Sequence, residues 1–86
     1  MKIVVSAHAL EESQSRNIPS NIIDAVLENP EQIVEEYGGK KAYQSKIALG
    51  SGKIYLVRII VKEYVDHAVV VTVYKTSRID KYWRIA

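Results

Sequence analysis

The sequence contains no cysteine, which excludes a disulfide framework, a thiolate nucleophile and zinc-finger spacing, and suits a reducing compartment. Its two histidines, His8 and His67, lie far apart. There is no His-x-x-x-His pair and no acidic cluster around a glycine turn, so neither a metal nor a cofactor is expected. No apolar run approaches the ~20 residues that a membrane-spanning helix needs. Met1-Lys2-Ile3-Val4-Val5 is too short for a signal peptide, so a cytoplasmic protein without membrane contact is expected. With 86 residues there is material for one domain, 1–86, and one small core.

Net charge is only +2, yet it is unevenly spread. Residues 1–36 carry two cations against seven acids, a balance of −5, whereas residues 37–86 carry ten cations against three acids, +7. A basic half on a nearly neutral chain points to a polyanion-binding face. The plainer alternative is a solvated surface whose charges happen to cluster.

Local patterns divide the chain into helices followed by strands. Ser6 caps a first helix of about Ala7 to Arg16, which Asn17 ends by tolerating a left-handed conformation. A second helix follows Ile18-Pro19, carries Ile22, Ile23, Val26 and Leu27 at helical spacing, and stops at Asn29-Pro30. From Gln32 the period changes to two. Gly38-Gly39 and Gly50-Ser51-Gly52 read as hairpin turns around a strand Lys40–Leu49. A strand Lys53–Tyr64 then turns through Val65-Asp66-His67 into Ala68–Lys75, whose Val69–Val73 run suggests burial on both faces. The expected fold is α+β: an N-terminal helical hairpin packed on a four-stranded antiparallel meander sheet, with room for a short opening strand at Lys2–Val5.

Several residues stand out against this frame. Arg58 interrupts an apolar strand and must pair with an acid or face a cleft; its planar fork suits a phosphate. His8, Glu12 and Arg16 form a helical stripe. As one of two histidines, the residue type suited to proton transfer near neutrality, His8 is the candidate general acid/base. Gly38-Gly39-Lys40-Lys41 is a hairpin whose lysines suit a nucleic-acid backbone better than a nucleotide cofactor. Where the last strand leaves the core, Tyr74-Lys75-Thr76-Ser77-Arg78 and Tyr82-Trp83-Arg84 gather cations, hydroxyls and rings. Two large rings so near the end are expected to fold back over the sheet beside Lys75 and Arg78. The competing reading is a docking surface for a partner or a second copy.

Ser6-Ala7-His8-Ala9-Leu10, Arg16-Asn17-Ile18, Val26-Leu27-Glu28-Asn29-Pro30-Glu31 and Val71-Thr72-Val73-Tyr74-Lys75-Thr76-Ser77 resemble the "domain of unknown function 4258" group, which is placed in the RelE/ParE-like toxin superfamily. The resemblance covers nearly the whole chain. Two departures are visible: Glu12-Ser13 stands where the group often has Arg-Met, which removes a cation, and Asn17 replaces a glycine while keeping the helix stop. The resemblance implies a RelE/ParE-like fold and a toxin paired with a small antitoxin encoded nearby. The RelE branch cleaves mRNA without metal.

The expectation is therefore a metal-independent endoribonuclease toxin acting on mRNA, free or on the ribosome. Such cleavage needs a base for the 2′-hydroxyl, cations for the phosphorane charge and an acid for the 5′-oxygen. Arg58 and Arg78 are the expected charge stabilisers, with Lys46 and Lys75 supporting; His8 and Tyr74 are the proton handlers. Tyr43, Tyr82 and Trp83 are placed to stack bases, and Arg16, Lys40, Lys41, Lys46 and Arg84 to hold the RNA backbone. A reading of another class stays open: a non-catalytic interaction module, either a ParE-like inhibitor or a heterodimer partner, gripping an acidic protein with the same basic sheet face. A homodimer is compatible with either.

Overall fold

The computed structural model describes residues 2–85; Met1 and Ala86, the ends of the expected 1–86 domain, lie outside them. The elements follow in the order β1 (Lys2–Val5), α1 (Ala7–Ser15), α2 (Ser20–Glu28), β2 (Gln32–Glu36), β3 (Lys40–Leu49), β4 (Lys53–Glu63), β5 (His67–Thr76) and α3 (Ile79–Tyr82). Ser6 caps α1 by accepting the Ala9 N–H at 3.1 Å. At the other end Asn17 adopts φ 56°. The Asn17 N–H then reaches the Gln14 carbonyl and the Ile18 N–H the Ser13 carbonyl, the paired bonds of a Schellman stop. This turn drives Ile18 into the core, where it is buried.

The sheet has five strands in the order β1-β5-β4-β3-β2. β1 runs parallel to β5, while the β2/β3, β3/β4 and β4/β5 pairs are antiparallel. This mixed sheet overturns the expected four-stranded antiparallel meander under a helical hairpin. Lys2–Val5 is an edge strand, because the chain crosses two helices and three strands before β5 arrives alongside it in the same direction. The helices dock separately: α1 lies along β5 and α2 crosses β3 and β4. Their buried residues, Ala9 and Ser13 in α1 and Ile23 and Val26 in α2, line the sheet side of each helix. The third helix, α3, is a single short turn that local periodicity does not announce.

Packing corrects a second expectation. The strand buried on both faces is β4, whose Leu56–Val61 run is buried throughout. In β5 the valines alternate between buried and half-buried. The register shifts between Ile60 and Val61, which pair with Thr72 and Val70 and leave Val71 as a bulge. Val57, Ile59 and Val61 meet Ala9, Ile18, Ile23, Val26, Val70 and Val73 in the helix-side core. Leu56, Arg58 and Ile60 point to the opposite face, beneath the C-terminal segment.

Candidate functional site

Two hairpins and one strand pairing build a polar row across the sheet. The Gly38-Gly39 turn brings both glycines to positive φ and sets Gln32 opposite Gln44. The next hairpin sets Gln44 opposite Arg58, and the β4/β5 register sets Arg58 opposite Tyr74. All four side chains therefore share one face.

Arg58 is the centre of this row and is 1% exposed. Its Nε donates to Gln44 Oε1 at 2.7 Å, its Nη1 to the Tyr74 hydroxyl at 2.5 Å, and its Nη2 to Glu36 Oε2 at 3.0 Å. The Tyr82 ring covers the guanidinium with its centroid 4.4 Å from Cζ, and meets Tyr74 edge-on at 6.2 Å. Gln44 donates to Gln32 Oε1 and to the Tyr82 carbonyl. Gln32 accepts the Arg84 N–H and donates to the Arg84 carbonyl, so the tail is strapped to β2 and β3. Among the described residues no buried side-chain nitrogen or oxygen lacks a partner, as a buried charge requires. Glu36, with about 30% of its side chain exposed, and the half-buried Tyr74 are two ends of the cluster that solvent reaches.

Burial raises the Tyr74 pKa above its ordinary value, outweighing the hydrogen bond and charge of Arg58, which lower it. Tyr74 therefore stays a protonated phenol near neutrality, with a proton it can donate, although burial makes it a weaker acid. Linkage gives the sign. A pKa raised by folding contributes stability that is present below the unfolded pKa of ~10 and lost as pH climbs through the folded value. Tyr43 is raised in the same direction, by burial and then by its bond to Glu63. Urea melts from pH 8 to 11.5 are expected to show stability falling above pH ~10, less steeply for Tyr74→Phe. Equal slopes in the two proteins would refute the assignment to Tyr74.

The expected site residues divide between the two faces. Arg58 and Tyr74 come together. His8 does not join them: it is exposed on α1, with Nε2 3.2 Å from Glu12 Oε1, on the helix side of the sheet. Arg16 shares that carboxylate through Nε at 2.6 Å. Lys75 is also on the helix side, opposite Val57, and Arg78 lies beyond the end of β5. Lys41 pairs with Glu63 at 2.9 Å, and Tyr43 donates to the same carboxylate from the helix-side face. Lys40 begins β3 on the Arg58 face, opposite Glu36. Lys46, with Nζ 4.0 Å above the Trp83 ring, gathers with Tyr82, Trp83 and Arg84 at the strap. The tail folds back as expected, but over Arg58 and Lys46 instead of beside Lys75 and Arg78.

Glu36, Gln44 and Gln32 escaped the sequence reading. Counting outward from Gly50-Ser51-Gly52 does pair Gln44 with Arg58, but a two-residue Gly38-Gly39 turn would set Gln32 opposite Ser45. The turn takes in Tyr37 as well, and that extra residue brings Gln32 opposite Gln44. Among the described residues there is no group of three or more metal-ligating side chains, and no helix is long and apolar enough to cross a membrane.

A family model described as "Domain of unknown function (DUF4258)" matches residues 5–75. The matched span takes in Glu36, Gln44, Arg58 and Tyr74 and stops short of the strap residues Tyr82 to Arg84. No curated protein and no solved structure matches the chain.

Proposed function

We propose that this chain, which belongs to the DUF4258 family, is a RelE/ParE-like toxin of a type II toxin–antitoxin pair that cleaves mRNA without a metal ion. The observation that carries the reading is one cluster in which Arg58 binds both the Glu36 carboxylate and the Tyr74 phenol. Metal-free cleavage asks for those three functions: base, cation and acid. In this scheme Glu36 takes the proton of the 2′-hydroxyl, and the 2′-oxygen attacks phosphorus. Arg58 offsets the charge of the phosphorane. The bond to the 5′-oxygen breaks as Tyr74 gives that oxygen its proton, leaving a 2′,3′-cyclic phosphate and a 5′-hydroxyl. His8, on the other face, takes no part in this arrangement. Tyr82 covers Arg58, so RNA approaches from the Glu36 or the Tyr74 end or displaces the ring. A cytoplasmic location and an antitoxin encoded by a neighbouring gene go with this reading.

The test is incubation of labelled RNA in EDTA beside a translation reaction containing ribosomes. Cyclic-phosphate ends are expected in at least one, slowed about 100-fold or more by Glu36→Gln. A second reading rests on the complete bonding of Arg58, which is also what a structural core arginine needs. In that reading the chain is a non-catalytic interaction module. RNA left intact in both reactions, together with stoichiometric binding of the product of the neighbouring gene, would establish it and end the nuclease proposal.

A further inference from the structure

On the strap side of the sheet Arg58 is committed to Glu36, Lys46 lies against Trp83 and Lys81 lies 5.3 Å from the Tyr82 centroid. The helix side differs. Where α1 hands over to α2, a cleft of about 400 Å³ opens against the β3–β4 turn, lined by Asn17, Gly50, Ser51, Lys53, Tyr55 and Lys75. Two lysines of the lining approach the Tyr55 ring. The Lys53 ammonium lies 5.5 Å and the Lys75 ammonium 5.1 Å from its ring centroid.

Among the described residues, neither ammonium has a carboxylate within 4.0 Å, unlike Arg16, Lys41 and Arg58. The cleft lining contains no acid. Two ammonium groups held about one ring, with no acid in the lining, leave a local excess of positive charge that a bound anion offsets. The Ser51 hydroxyl and the Asn17 amide add neutral donors to the same lining. We propose that this cleft binds phosphate oxygens, with an RNA backbone phosphate as the natural source.

That choice of source rests on the nuclease reading and extends it. Lys75 and Tyr74 are neighbours on β5 that point to opposite faces. RNA anchored in the cleft and rounding the end of β5, past the exposed Arg78, arrives at the Tyr74 side of the cluster. The cleft thus assigns Lys53, Lys75 and Tyr55 a binding role on the face away from Arg58.

Two-dimensional NMR of the backbone amides tests this, using a six-residue oligouridylate and inorganic pyrophosphate as separate probes. Both are expected to shift Asn17, Gly50, Ser51 and Lys75. The double variant Lys53→Ala/Lys75→Ala is expected to keep its fold by circular dichroism, bind the oligonucleotide about tenfold or more weakly, and lose part of the salt dependence, because two phosphate contacts are gone. Single Lys→Arg variants should retain binding. If pyrophosphate shifts the cleft and the oligonucleotide does not, the phosphate site stands and the RNA source falls. If the oligonucleotide binds there but RNA is never cut, the cleft stands and the nuclease reading falls. Unmoved cleft amides with both probes, or wild-type affinity in the double variant, overturn the proposal.

Discussion

Replacing Arg58 with alanine is expected to lower the unfolding free energy by about 3 kcal/mol and the melting temperature by on the order of 15 °C. Alanine removes the donor from three acceptors at once and leaves a void under the Tyr82 ring. Most of the cost is expected from the buried side. Gln44 is fully buried and would lose the partner of its Oε1, whereas Glu36 is partly exposed and recovers hydration. Arg58→Lys is expected to recover only part of the loss, because a single ammonium cannot bond Gln44, Tyr74 and Glu36 in the directions that the planar fork spans. Urea unfolding of wild type, Arg58→Lys and Arg58→Ala measures this directly. A loss below about 1 kcal/mol for alanine would show that the row contributes little to the fold. It would then stand mainly as a ligand site.

Deleting residues 79–86 should cost about 2–3 kcal/mol and uncover the guanidinium. The segment contributes the Tyr82 ring over Arg58, the Trp83 ring under Lys46, and backbone partners for Gln32 and Gln44. Half-burial of two large rings sets the scale, reduced by the entropy the short tail regains when freed. Uncovering is measurable independently of stability. Phenylglyoxal modification followed by mass spectrometry is expected to spare Arg58 in the intact chain and to label it in the truncated one. The alternative role of the tail as a docking surface forecasts the reverse pattern: unchanged melting, an Arg58 still protected, and loss of binding to a partner protein. The nuclease reading gains a second test here, since displacing Tyr82 is one route by which RNA reaches Arg58.

Local chemistry decided much of this chain. Ser6 and Asn17 bracket α1 because a hydroxyl satisfies an early N–H and because asparagine tolerates φ 56°. Gly38-Gly39 and Gly50-Ser51-Gly52 place two hairpins because their glycines take positive φ that other residues resist. The oddity of Arg58 was equally visible, as was its need for an acid or a cleft. Gln44 alone among its partners can be counted from a turn; Glu36, Tyr74 and Tyr82 cannot, because they belong to two further strands and the tail. The acid proved to be Glu36 on β2, reached across β3.

Tertiary structure alone decided which face each candidate occupies. His8 and Arg58 both look available for chemistry in one dimension, but the sheet lies between them. Lys75 and Tyr74, adjacent in sequence, part to opposite faces because strand side chains alternate. The parallel pairing of Lys2 with His67 joins distant segments, which a helical or alternating period measured over a few residues cannot express. Local signals arise from steric limits and hydrogen bonds within a few residues. Strand order, the bulge at Val71 and the cover of Arg58 depend instead on which distant surfaces pack best together, and only the folded chain settles that.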